Sequence, residues 1–251
     1  KKNINMKIYN FTKFNESMSG VTFKSVVDLC NTKNDFRYST VDNKEKTNRL
    51  KWVISTVESS GIDYELDEFM EEDIIFYNVI LKGSSDKMVV AHHDVVNIKS
   101  DNANDNSASV INAIMLKKLS PSTNVVILDG EEPPHFGAGS RQLSEQINSG
   151  EFGSIKWVLN FELTGKGGDD FFIGNYPGVL TDHILDMFPD TPILDTPFND
   201  SEIFIENGID SVVINPLPVV EGIDSPLENR NGKLDINMLY NCHSMIDSIS
   251  T

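Results

Sequence analysis

The sequence predicts an α/β fold, a single domain whose mixed, mostly parallel central sheet is flanked by helices. Three observations carry that expectation. Residues 88–91 and 125–128 are four-residue aliphatic runs flanked by turn residues. Such runs read as strands buried on both faces, as in a parallel sheet. Segments with helical apolar spacing alternate with strand-like runs along the chain. Both aliphatic runs also stop at polar clusters, His92-His93-Asp94 and Asp129-Gly130-Glu131-Glu132. Ligand sites in open α/β sheets lie beyond the carboxyl ends of the strands, where these clusters fall.

Taken in order, Phe23, Val26, Val27 and Cys30 repeat at i, i+3, i+4 and i+7, and Leu50, Val53, Ile54 and Val57 do the same. Two amphipathic helices therefore open the chain, with a polar loop over 31–43 between them. Residues 64–66 and 74–81 are strand candidates. The second leads through Lys82-Gly83-Ser84-Ser85 to the 88–91 strand, which predicts a hairpin and hence a mixed sheet. Val110, Ile111, Ile114, Met115 and Leu119 mark one face of a helix ending before Pro121. Asp105 is expected at its start, where the helix dipole favours a carboxylate. Beyond the 125–128 strand come a helix over 137–147 and a strand over 157–161 that ends in Glu162. A strand over 171–173, helices around 179–188 and 201–206, a strand over 212–214 and a last helix over 236–249 complete the pattern. No internal repeat, low-complexity tract or linker divides the sequence. Residues 1–251 are thus expected to form one domain, with a helical portion over 1–60 packed on it.

Composition narrows the function. A chain of 251 residues can bury a large core. Its net charge of −17 and pI near 4.6 repel phosphate backbones, which excludes nucleic acid as a partner and favours cations. No apolar run approaches the roughly 20 residues of a membrane span, and residues 1–14 lack the apolar core of a signal peptide. Cys30 and Cys242 fit neither a CxxC motif nor a disulfide framework, which favours a reducing, cytoplasmic setting.

The chemistry lies in the acid clusters. His92 and Asp94 are two residues apart, so on an extended segment they point the same way, and a carboxylate can orient an imidazole for metal binding. A His-x-Asp alone is weak evidence, and so is an adjacent Glu131-Glu132. Together with Asp105 and Glu162, however, they place several carboxylates and one imidazole at a single sheet edge. Like charges there would repel strongly without a cation, and a bound divalent metal resolves the conflict. His93 points away from His92 on an extended strand. His183 and His243 sit on helical apolar faces, so all three read as packing residues. His135, in the loop after the acid pair, is a weak candidate for the substrate pocket or a metal.

These clusters also resemble a known family. Ala91-His92-His93-Asp94, Asn104-Asp105-Asn106-Ser107, Asp129-Gly130-Glu131-Glu132 with Gly139-Ser140, Asn160-Phe161-Glu162 and Asn199-Asp200-Ser201-Glu202-Ile203-Phe204 follow, in order and spacing, the co-catalytic zinc aminopeptidases. That family includes leucyl aminopeptidases, glutamate carboxypeptidase II and glutaminyl cyclases, and the similarity covers roughly residues 74–250. The resemblance implies two divalent metals bridged by Asp105. His92 and Glu162 would complete one site, with Asp94 behind His92, and Glu132 would belong to the other. Glu131 would be the general base, and a peptide or small amide the substrate. Where the family has a final His ligand, this sequence has Asp224, in Asp224-Ser225-Pro226-Leu227-Glu228-Asn229. An oxygen ligand there would admit manganese or cobalt beside zinc. The implied activity is an aminopeptidase. Alternatives are a glutaminyl cyclase, suggested by Gly139-Ser140-Arg141-Gln142-Leu143 after the acid pair, and a binding protein whose metal site has decayed.

Overall fold

The computed structural model describes residues 23–165 and 171–216. Helices α1 (Phe23–Asn31) and α2 (Asn48–Ser59) form where the first two apolar stripes lie. Thr47 caps α2, its side chain accepting a hydrogen bond from the Leu50 amide. Strand β1 (Ser39–Thr40) lies between them, and strands β2 (Glu65–Glu71), β3 (Ile74–Leu81) and β4 (Lys87–His92) follow α2. After helix α3 (Ala108–Leu119) come β5 (Asn124–Leu128), α4 (Ala138–Asn148) and β6 (Trp157–Phe161). The described chain ends with β7 (Phe172–Gly174), α5 (Val179–Met187), β8 (Ile193–Leu194), α6 (Asp200–Glu206) and β9 (Ser211–Asn215).

All these strands join one mixed sheet in the order β1-β3-β5-β4-β6-β9-β7-β8, with β2 off this path and paired to β3. Its centre, β5-β4-β6-β9, is parallel, and antiparallel pairs flank it on both sides. The two-residue period of the strands divides the core into layers. Val89, Ala91, Val125 and Ile127 pack with Leu50, Val53, Ile111 and Ile114 of α2 and α3. Their alternates Met88, Val90, Val126 and Leu128 pack with Leu143 of α4 and Phe204 of α6. Helices thus cover both faces, as expected of central strands that are apolar on both sides.

Two local expectations are corrected. The predicted hairpin between 74–81 and 88–91 does not form, because β5 inserts between β3 and β4 and pairs with each. The hairpin is instead β2 with β3, turning at Glu72 and Asp73. Its outer strand was hard to read because acidic residues punctuate Glu65–Glu71, as suits an edge strand exposed to water. Asp105 does not start a regular α-helix. It lies in an irregular turn (Ala103–Ser107) ahead of α3, with φ −111° and ψ 89°. The expected helix over 236–249, together with Asp224, Cys242 and His243, lies outside the described residues.

Candidate metal centre

Because β5, β4 and β6 are adjacent and parallel, their carboxyl ends fall on one edge of the sheet. His92 ends β4, Asp129 to Glu132 follow β5, and Glu162 follows β6. The turn before α3 brings in Asp105 from a fourth direction. Six of the residues singled out from the sequence therefore converge: His92, Asp94, Asp105, Glu131, Glu132 and Glu162.

The geometry centres on one imidazole. His92 Nε2 lies 3.2 Å from Asp105 Oδ1, 3.4 Å from Glu162 Oε1 and 3.9 Å from Glu131 Oε2. On the other side of the ring, Nδ1 lies 3.3 Å from Asp94 Oδ1. Among the described residues, two groups could each converge on a cation, His92 with Asp105 and Glu162, and His92 with Glu131 and Glu132. Ligands about 2.0–2.2 Å from a tetrahedral ion stand about 3.4 Å apart, and the two separations from His92 in the first group match that spacing. Its imidazole and carboxylate donors suit zinc or a similar divalent ion.

Asp94 holds the centre together. Its Oδ1 accepts a hydrogen bond from the Glu131 amide at 3.2 Å, and its Oδ2 accepts from the Glu132 amide at 3.1 Å and from the Tyr38 hydroxyl at 2.9 Å. Asn106, fully buried, joins the Asp105 turn to the end of β6. Its Nδ2 donates to Phe161 O at 3.1 Å and Glu162 Oε2 at 3.4 Å, while its Oδ1 accepts from the Leu163 amide.

Electrostatics favour a cation here. Burial, then repulsion by Glu132, Glu162 and Asp200, pushes Glu131 well above the usual carboxylate range. Burial likewise raises Glu162, and takes Asp200 at the start of α6 up to about 7. Burial opposes charging of His92, but Glu162 and Glu131 outweigh it and hold its pKa well above the ordinary value. For Asp94, burial works upward, yet the hydrogen bond and charge of His92 keep it below the usual range.

A cleft opens beside the cluster. Asp105, Glu131 and Glu162 line it together with Leu163, Phe136 and Phe198. The Phe136 and Phe198 rings meet edge to face, with centroids 5.4 Å apart. Arg141 fixes the loop that carries Phe136, donating to Phe136 O at 2.7 Å and His135 O at 2.9 Å while paired with Glu71.

His183 is exposed on α5, whose buried residues are Leu180, Thr181 and Ile184, so it is not the packing residue its helical spacing suggested. His93 and His135 do behave as packing residues. His93 is buried, with Nε2 3.1 Å from Tyr77 O, and burial lowers its pKa to about 4. His135 sets its ring against Tyr38 and Phe76, which gives it a place in the aromatic packing. Sequence reasoning missed Tyr38, Arg49 and the bridging role of Asn106. Arg49 is 1% exposed and donates to His93 O at 3.1 Å and Ser107 Oγ at 3.0 Å. A polar loop residue and a helical arginine carry no local signal of such distant partners. Asn106 at least lay inside a singled-out motif.

Legionella pneumophila LapA aminopeptidase has a similar fold, with a TM-score of 0.65 at 13% identity over 97% of this chain and 70% of that one. Macrostomum lignano glutaminyl cyclase gives 0.62 at 14% identity, over 89% and 86%. An Acidobacteriales bacterium glutaminyl cyclase gives 0.58 at 16% identity, over 79% and 78%. No curated protein matches the sequence. The model of peptidase family M28 matches residues 78–219, the stretch that carries β4, the Asp105 turn, the acid pair and Glu162. The chain belongs to peptidase family M28.

Proposed function

We propose that the protein is a metal-dependent aminopeptidase. The observation that carries this reading is the convergence of Asp105, Glu162 and Glu131 on His92 Nε2 within 3.2–3.9 Å, beside a cleft with apolar walls. In this reading His92, Asp105 and Glu162 hold one divalent ion. Asp105, Glu132 and Asp224 hold a second, whose all-oxygen donor set tolerates manganese or cobalt as well as zinc. Bound there, the ions supply a Lewis acid for the scissile carbonyl and ease deprotonation of the attacking water.

The chain's own groups do the rest. Asp94 keeps the imidazole oriented with Nε2 toward the cluster. The same carboxylate holds the Glu131 and Glu132 amides, so ligand and base are set by one anchor. Glu131, a stronger base than an exposed glutamate because of its burial, takes a proton from water on its carboxylate and passes it to the departing amine. The surrounding negative charge attracts a free ammonium end, and Leu163, Phe136 and Phe198 cover the side chain of the first residue.

The test compares a peptide with its N-acetylated form as substrates of the zinc-loaded protein. Release of the first residue from the free peptide alone is expected, and equal cleavage of both would overturn the aminopeptidase reading. A second reading, cyclisation of N-terminal glutamine, draws support from the acid pair followed by Gly139-Ser140-Arg141-Gln142-Leu143. It predicts ammonia release from a glutamine peptide with no shortening of the chain.

A further inference from the structure

Asp94 links His92 to Glu131 and Glu132, and all four lie within one segment of sequence. One of its bonds comes from outside that segment. The Tyr38 hydroxyl, in the loop between α1 and α2, donates to Asp94 Oδ2 at 2.9 Å. We infer, on the strength of the metal-binding reading above, that Tyr38 is a positioning residue for the metal centre, acting through Asp94 on His92.

The hydroxyl is itself aimed. Arg37 Nη2 donates to the phenol oxygen at 3.2 Å. Arginine has only N–H donors, so the phenol oxygen accepts from Arg37 and the tyrosine proton is directed to the Asp94 carboxylate. Edge-to-face contacts fix the ring, with centroids 5.3 Å from Phe76 and 4.8 Å from His135. Arg37 stacks over the same ring at 5.1 Å while its Nε donates to Val95 O at 3.0 Å.

Nearby cations bind the same stretch of chain. Arg49 Nε donates to His93 O at 3.1 Å, and Lys33 Nζ donates to Ser100 O at 2.8 Å. Residues 33–49 therefore grip the backbone on either side of Asp94 and on the way to Asp105. The grip alone would be structural. What singles out Tyr38 is that its bond ends on the carboxylate behind a metal-facing imidazole. Loss of a ligand's own partner typically weakens metal binding by about 10–100-fold, and Tyr38, one bond further out, belongs at the low end of that range.

The experiment measures zinc affinity by competition with a chromophoric chelator, and the thermal midpoint of the zinc-free protein, for the parent, Tyr38→Phe and Tyr64→Phe. Tyr64→Phe is the control, since it removes a 2.8 Å hydrogen bond to Glu58 on the exposed surface. Tyr38→Phe keeps the ring and its packing, so the zinc-free midpoint should stay close to the parent's while zinc binds about tenfold more weakly. Tyr64→Phe should leave zinc affinity unchanged. If Tyr38→Phe fails to fold, Arg37→Met removes the donor behind the hydroxyl together with the bond to Val95 O and the cation over the ring, and should weaken zinc in the same direction by a smaller factor. Parental zinc affinity in the folded Tyr38 or Arg37 variant, or an equal loss in the control, overturns the inference and leaves the peptidase reading standing. Absence of zinc binding by the parent overturns the metal reading and this inference with it. Zinc binding without peptide cleavage overturns only the aminopeptidase reading.

Discussion

Glu131 is the residue on which the proposed chemistry turns, buried beside His92 without being needed as a ligand in the first group of donors. Glu131→Gln keeps the shape and the backbone bond to Asp94 but removes the base. Turnover should fall by about 10²–10⁴ with zinc content and thermal midpoint near the parental values, as checked by steady-state kinetics and metal analysis. A parental rate would show that the proton goes elsewhere. At this scale the sequence was legible wherever partners are close along the chain. His92 with Asp94, and Glu131 with Glu132, could be paired by spacing alone. Tyr38 and Arg49 were not legible, because their partners are 56 and 44 residues away, at Asp94 and His93, and only the folded chain brings them together.

Elements place these residues, and one close placement is the turn from β5 into the acid pair. Gly130 has φ +72°, and a Cβ there would lie 2.8 Å from the Phe76 ring and 2.9 Å from Ala138. Gly130→Ala therefore combines left-handed backbone strain of about 1–2 kcal/mol with overpacking of about 1–3 kcal/mol. Chemical denaturation should show a loss of at least about 2 kcal/mol, and the shifted Glu131 and Glu132 should weaken zinc binding. An Ala variant as stable as the parent would mean that this turn is far more yielding than its packing implies. The existence and type of the central strands were readable from their two-sided apolar runs. Their order was not. The aliphatic periods of β3, β4 and β5 are alike, so nothing local told that β5 would insert between the other two. The short pairs β1 and β8 lack any run long enough to register.

Over the whole molecule, a chain of net charge −17 has gathered buried carboxylates at one sheet edge, and its stability should report on them. Asp200 is raised from 3.8 to about 7, and Glu131 and Glu162 move the same way. Asp200 therefore contributes stability that is fully present below about pH 4 and is lost as pH rises through about 7, and Glu131 and Glu162 act in the same direction. His93, lowered to about 4, acts oppositely, costing stability as pH falls below 6.5. The zinc-induced change in midpoint isolates the first set, because a divalent ion relieves repulsion only where the carboxylates are charged. Zinc at about 100 times its dissociation constant should add about 3 kcal/mol, or roughly 5–10 °C for a chain of this size. At one fixed zinc concentration, set to about 100 times the dissociation constant at pH 7.5, the increment should be larger at pH 7.5 than at pH 5.5, where binding is weaker, and scanning calorimetry at both values checks the sign. An increment larger at pH 5.5 would place the zinc away from these carboxylates. The most direct test of the whole account is the metal stoichiometry of the folded protein, dialysed against buffered zinc and measured by mass spectrometry beside His92→Ala. Two equivalents per chain in the parent, with at least one lost in His92→Ala, is the predicted result. No bound zinc in the parent, or an undiminished content in His92→Ala, would contradict it.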